Sequence, residues 1–448
     1  MIFQQTRFPV FLPAVCLAAL LFLWTDSSCA MQLSEILEKV ELNTPALKAA
    51  QARTSMQRSA VRQARSSYWG EVDALVKSSH YNEVRMINPI SYPVTMKADL
   101  FDDNQIGWGV NAHLPLDING RITAKVHAAD KELEAALARE GNVRLQVLHA
   151  AADLYHNLEG VKALEKALEK QIEALKTHIQ VAEVSIAAGR TAPVEKLRLV
   201  ADLEAVKGKS ATLHGQEQGI RARLAALMGT ASFADPVKPV PEPPTANTPV
   251  HGDISNRPDI QALQAGCAAG DAQIKAAFAG RLPEMKVNGS WLRNQGYDQD
   301  GEDTWALFVQ LQVPLWDGGG RRAEVSRAEA GRSVVRHELA VTQNQAKAER
   351  IAARAELEAA RASYRATVAS VAAARETARI QTDRFSEGRL SAADLVDAEA
   401  SLAAARSGSA LALTRWWQAE DHLRRAVGVE PLAYVAHART DGDKRGTE

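Results

Sequence analysis

Residues 120–187 contain no proline, and from Leu154 to Ile186 they carry a regular apolar stripe. Leu154, Leu158, Val161, Leu164, Leu168, Ile172, Leu175, Ile179, Ala182 and Ile186 advance 32 residues in nine steps. That is about 3.56 residues per step, between a straight helix and a supercoiled heptad. At about 1.5 Å per residue, one helix over this stretch is roughly 100 Å long. No ordinary globular domain can wrap such a rod, so the chain has to be elongated.

Composition agrees with close-packed helices. Alanine fills 79 of the 448 positions, and 11 of the 23 residues in 352–374 are alanine. Such small side chains let helices approach closely. Lys and Arg number 53 against 54 Asp and Glu, a net charge of -1. Phosphate-dominated binding needs a cationic surplus that is absent, which argues against nucleic acid as a partner.

The chain is an internal duplication. Pro115 and Pro314, Gly189 and Gly388, Leu203 and Leu402, and Gly229 and Gly428 are all separated by 199 residues. Upstream, Asn43-Thr44-Pro45 pairs with Asn256-Arg257-Pro258 at an offset of 213, so the first half carries 14 extra residues before Pro115. The resulting organisation is a leader (1–30), a first repeat (31–229), a proline-rich linker (230–252), a second repeat (253–429) and a polar tail (430–448). Each repeat reads as one helix (about 33–67 and 254–280), two strands and a long helical hairpin.

The strands decide between a scaffold and something else. Trp305, Leu307, Val309, Leu311 and Val313 alternate with Ala306, Phe308, Gln310 and Gln312, and Ile106, Trp108, Val110, Ala112 and Leu114 alternate with Gly107, Gly109, Asn111 and His113. Their partners are shorter, around Met285 to Trp291 and Val72 to Val76. Apolar-out, polar-in strands of about ten residues suit an outer-membrane barrel. Four strands cannot close a barrel, and open edges in lipid are costly, so other copies of the chain must complete it. Three copies give twelve strands. The alternative is a small soluble hairpin sheet capping a helical bundle, which would make the protein a periplasmic coiled-coil structural protein. The polar tract 80–104 and the shorter 294–302 read as outward loops. Pro115 and Pro314 are expected to end the inward-running strands, with Gly120, Gly318 and Gly319 turning the chain into the long helices.

At the start, Arg7 precedes an apolar run over 8–24 and Ser28-Cys29-Ala30 forms a small-x-small site. This reads as a secretory signal peptide cleaved before Met31, with a membrane anchor as the alternative. Lipidation at Cys29 would call for an aliphatic residue where Asp26 stands. After cleavage only Cys267 remains, in an Ala- and Gly-rich stretch that suits a small buried residue.

With these features in place, the chain resembles the TolC-like outer-membrane efflux proteins. The strand-to-helix signature Val313-Pro314-Leu315-Trp316-Asp317-Gly318-Gly319 and the hairpin-tip signature running from Gly388-Arg389-Leu390-Ser391 to Asp394-Leu395-Val396-Asp397 carry the resemblance. It implies an α+β membrane protein: a trimeric twelve-stranded barrel, four strands per chain, continuous with a periplasmic α-helical barrel. It further implies a homotrimer in outer-membrane lipid, a periplasmic adaptor (membrane fusion) protein docking at the tips formed by Gly189, Arg190, Gly388, Arg389 and Ser391, and an inner-membrane pump of the RND, ABC or MFS type. The exit duct of a type I protein-secretion system uses the same fold. Asp394 and Asp397 share one helix face and match positions that form acidic rings at the tunnel mouth. The alternative is that both are solvated residues of a first helical turn.

In the best-known members of the family, an Arg two residues after the turn glycine and a Tyr three residues before it take part in polar links that hold that mouth shut. Here Leu390 and Phe385 stand at those places. Closure is then expected to rest on packing, or on Glu195 with Arg389 or Arg190. No enzyme constellation, cofactor motif or metal spacing is apparent. His149 and His156, seven apart, read as exposed helix residues, and Gly318-Gly319-Gly320 lacks the Lys-Ser/Thr of a phosphate loop.

Overall fold

Pro45, Pro193 and Pro258 each open a helix, where a missing N–H costs nothing and the fixed φ is already helical. The computed structural model describes residues 31–88, 92, 101–190, 192–236, 243–244, 253–297, 301–387 and 389–431. The expected leader, most of the linker and almost all of the tail lie outside these residues. In order, the elements are α1 (Leu33–Asn43), α2 (Pro45–Ser66), β1 (Glu71–Met86), β2 (Phe101–Leu116), α3 (Arg121–Ala187) and α4 (Pro193–Met228), then α5 (Pro258–Ala279), β3 (Glu284–Gly296), β4 (Glu302–Gln312), α6 (Gly320–Ser386) and α7 (Ala392–Ala426).

The duplication is visible in lengths. Both α3 and α6 have 67 residues, and their hairpin partners α4 and α7 have 36 and 35. The single helix expected over 33–67 is two helices. Thr44 precedes Pro45, is driven to an extended conformation (φ -58, ψ 123), and anchors the break by donating its hydroxyl to the Leu227 carbonyl at 2.6 Å.

The four strands form one antiparallel sheet in the order β1-β2-β3-β4. Its register aligns the apolar positions across every strand: Val76 faces Trp108, Val110 faces Trp291, Trp291 faces Trp305, and Val287 lies between Leu114 and Val309. The opposite face brings Asn111 beside Ser290, His113 beside Asn288 and Lys286 beside Gln310. Trp305, Leu307 and Val309 are more than half exposed. A soluble sheet would cover that face; a lipid-facing one need not. Trp69 and Trp316 are exposed just below the two sheet edges, where interfacial aromatic residues belong. Among the described residues no helix is long and apolar enough to cross a membrane.

Two strand limits differ from expectation. Strand β1 extends to Met86, well past Val76, so much of the tract read as a loop is strand. Pro115 lies inside β2 rather than ending it, paired with Lys286 of β3. The β1 pairing stops at His113, so β2 is an edge on that side and a strand proline is tolerated.

Core packing sits in the helices. Ile36, Leu37 and Val40 of α1 close on Leu148, Ala151, Ala152, Tyr155 and Leu158 of α3 and on Leu224 and Met228 of α4. Leu148 is fully buried. Leu148→Ala is therefore expected to cost about 2–5 kcal/mol, read as a lowered unfolding temperature of the detergent-solubilised protein. Cys267, expected to be buried, is half-buried on α5, and burial pushes its thiol up.

Candidate functional site at the hairpin tips

The two hairpins end side by side, and their tips share one backbone device. Gly189 adopts φ 70, and the Arg190 N–H returns to the Ser185 carbonyl at 2.9 Å, which satisfies an orphan carbonyl of α3. The same bond recurs 199 residues later, from Arg389 to Arg384 at 2.9 Å. Gly388 itself lies outside the described residues.

Ser391 caps α7. Its Oγ accepts from the Asp394 N–H at 3.2 Å and donates to Asp394 Oδ2 at 2.7 Å. Asp394 and Asp397 are both exposed on one face of α7, while Ala392, Leu395 and Ala398 are buried on the other. The equivalent cap position of α4 is Ala192, which offers no side chain to its helix.

The hairpins are tied by a contact that the sequence did not suggest. Glu195, in the first turn of α4, accepts the backbone N–H of Ala392 at Oε2, 3.0 Å away. It pairs with neither Arg389 nor Arg190. Arg389 is held by Glu387 at 3.2 Å, and the free N–H groups at the positive end of α7 offer Glu195 a nearer partner. Phe385 is buried beneath this contact with Leu175, Leu199, Leu203 and Leu395, and Leu390 packs against the same cluster. His178 meets the Phe385 ring edge-on at 6.2 Å and lies 3.4 Å from Glu399 of α7. The signal for the Glu195 contact was available, as a carboxylate aligned with a helix N-terminus in the other repeat, but its partner is a backbone atom and carries no residue identity.

At the other end of the helices, Gly120, Gly318 and Gly319 have φ of 73, 65 and 89. Two aspartates complete these turns. Asp117 accepts the Ile122 and Thr123 N–H groups at 2.8 Å each, and Asp317 accepts those of Gly319 and Arg321 at 3.0 and 2.9 Å. These bonds hold both carboxyl groups below the usual range, although burial opposes them at Asp117. An Asp shortly before a glycine and a helix is the capping signal that marks them in sequence. Pro115 and Pro314 both precede these turns.

His149 and His156 are buried, at 1% exposure each, not exposed on a helix face. His149 Nε2 lies 2.9 Å from the Val429 carbonyl, and burial lowers its pKa. His156 sits 3.3 Å from Glu159 and 3.3 Å from Asp421 of α7, stacked on Trp417 with ring centroids 5.5 Å apart. Burial opposes its charge, but the two carboxylates win and push its pKa up to about 9. A raised folded-state pKa stabilises fully below the ordinary value of 6.5 and is lost as pH rises through about 9. The unfolding temperature should therefore fall across that interval, and His156→Gln should flatten the fall.

Two hairpins, each built on a 67-residue helix and topped by a four-stranded sheet with one lipid-facing side, define a barrel-forming outer-membrane protein with a long helical extension. The chain belongs to the outer membrane efflux protein family, whose model matches residues 36–230 and 253–429. Among curated relatives, nodulation protein T of Rhizobium leguminosarum bv. trifolii is 23% identical over 335 residues, 69% of this chain and 68% of that protein. The nickel-cobalt-cadmium resistance protein NccC of Alcaligenes xylosoxydans xylosoxydans is 23% identical over 241 residues, 52% of this chain and 54% of that protein. The aligned part thus spans about two thirds of the first relative and about half of the second. The crystal structure of the outer membrane protein VceC from Vibrio cholerae superposes with a TM-score of 0.76 at 22% identity, covering 89% of this chain and 96% of that one.

Proposed function

We propose that three copies of this chain close a twelve-stranded barrel in the outer membrane, continuous with a helical tunnel in the periplasm. In this reading the protein is the passive outer-membrane channel of a tripartite efflux system. The observation that carries it is the sheet itself: β1 and β4 are its edges, and one face is apolar up to the row of Trp291 and Trp305, beyond which Arg293 pairs with Asp303. Edges of that kind are untenable in lipid unless another copy pairs with them. Helix α6 supports the same assembly, because Val334, Val341 and Ile351 on it are more than half exposed within one chain.

The Gly189 and Gly388 tips would receive a periplasmic adaptor, and an inner-membrane pump would supply the energy. The cleaved leader before Met31 would direct the chain across the inner membrane. The two relatives are named for different processes, nodulation and nickel-cobalt-cadmium resistance, which suits a wide duct whose selectivity lies in the pump. Glu195, Phe385, Leu390 and the His178–Glu399 pair would hold the mouth shut. They replace the polar links that this chain cannot make, and Asp394 and Asp397 would ring the opening. Heat-sensitive trimers in outer-membrane fractions are expected; a soluble monomer in the periplasmic fraction would overturn the reading.

A further inference from the structure

The apolar seam between α3 and α4 is interrupted. One cluster ends near Leu158 and Ile220 and the next begins near Leu168 and Val206. Across the interval, α4 carries Gly208, Gly215 and Gly219, and a Cβ at any of them would meet nothing within 4 Å. Among the described residues of one chain no packing demands these glycines, and each weakens the helix by about 1 kcal/mol relative to alanine. The segment is short of both apolar contacts and helical propensity.

Glu165 of α3 and His214 and Glu217 of α4 meet in this interval, with one potential ligand atom from each within 4.8 Å of the others. His214 and Glu217 are three apart and share a helix face, the His/Glu spacing that helical bundles use for metal ions. Glu217 is nearly buried and oriented: its Oε1 takes Arg221 Nε at 2.8 Å and lies 3.5 Å from Lys162 Nζ. Its Oε2 is turned toward His214 Nδ1, 3.7 Å away. Glu165 makes no hydrogen bond or ion pair among the described residues.

We propose that Glu165, His214 and Glu217 bind a divalent transition-metal ion of the zinc, cobalt or nickel class, which staples α4 to α3 where their apolar packing lapses. One imidazole and two carboxylates leave a fourth position for water, a set that suits tetrahedral Zn2+. Calcium, which takes about 6–8 oxygen ligands, is poorly served. Bond lengths of about 2.0–2.2 Å bring ligand atoms to roughly 3.5 Å from one another, so the trio has to close. His214, 68% exposed, and the half-buried Glu165 have room to do so. Arg221 remains on Oε1 as the outer hydrogen bond that orients Glu217. Lys162 is the built-in competitor, an ammonium beside the ligand that a bound cation must displace or tolerate.

The test is titration of the untagged full-length protein with Zn2+ alone, in the Asp394→Ala/Asp397→Ala background so that cations at the mouth do not contribute. One ion per chain is expected. His214→Ala should weaken binding by about tenfold or more, and Lys162→Met should strengthen it by about tenfold. Hydrogen exchange over 206–220 should slow with Zn2+ in the parent and not in His214→Ala. Because His214 is exposed, its replacement should not disturb folding. Absent binding, or binding and exchange that are equal in parent and His214→Ala, would overturn the site. Neither result bears on the channel reading, which conductance tests separately.

Discussion

Glu195→Ala is expected to open the tunnel mouth. The Glu195 carboxylate is the one polar side-chain bond described between the first turn of α4 and the first turn of α7, through the Ala392 N–H at 3.0 Å. A hydrogen bond from backbone to a charged acceptor is worth about 1.5–3 kcal/mol, so its loss shifts a two-state closed-to-open ratio by roughly tenfold or more. Packing of Phe385 and the His178–Glu399 pair remain in the variant and would keep the protein folded. In planar bilayers the parent should show small conductance steps and Glu195→Ala markedly larger ones, with Glu195→Gln between them. Identical conductance in all three would remove this contact from the gate.

The second large effect concerns the mouth's charge. In a trimer, Asp394 and Asp397 amount to six carboxylates around one axis, all on the exposed face of α7. Each attracts a cation on the axis, and the attractions add for a multivalent ion. Asp394→Ala with Asp397→Ala should weaken block by a trivalent cation on the order of a hundredfold, and weaken block by a monovalent cation far less. Asp394 also takes part in the Ser391 cap, so Asp394→Asn, which keeps an acceptor there, separates charge from folding. Unchanged trivalent block in the double variant would show that these aspartates are merely solvated helix-start residues.

Legibility followed locality. The 3.56-residue stripe and the 199-residue offset are properties of contiguous sequence, and they correspond to α3 and α6 with equal lengths of 67 residues. The outer half of β1 was invisible because Ser78, Ser79, His80, Asn82 and Glu83 carry no alternation. What defines that stretch as strand is its pairing with β2, first residue by residue from Ser78–Ile106 to His80–Asn104 and, past a bulge, at Arg85–Asp102. The break at Thr44 was hidden because apolar residues continue on both sides, at Val40 and Leu47.

The site shows the same division. Turn glycines and the Ser391 cap announce themselves within a few residues. The Glu195–Ala392 bond, the His156–Asp421 pair and the approach of Glu165 to His214 and Glu217 each join residues far apart in the chain, and of these only the His214–Glu217 spacing is local. Each depends on how the helices align side by side, which follows from the apolar seam but is not spelled out by it.

The central claim is that the open edges of this sheet are closed by other copies to make a pore. Purified protein inserted into planar lipid bilayers tests it most directly, with its mass in detergent measured in the same preparation. The account predicts trimer mass and discrete conductance steps that vanish when the sample is heated to monomers. A monomer, or a trimer that never conducts even as Glu195→Ala, would contradict it.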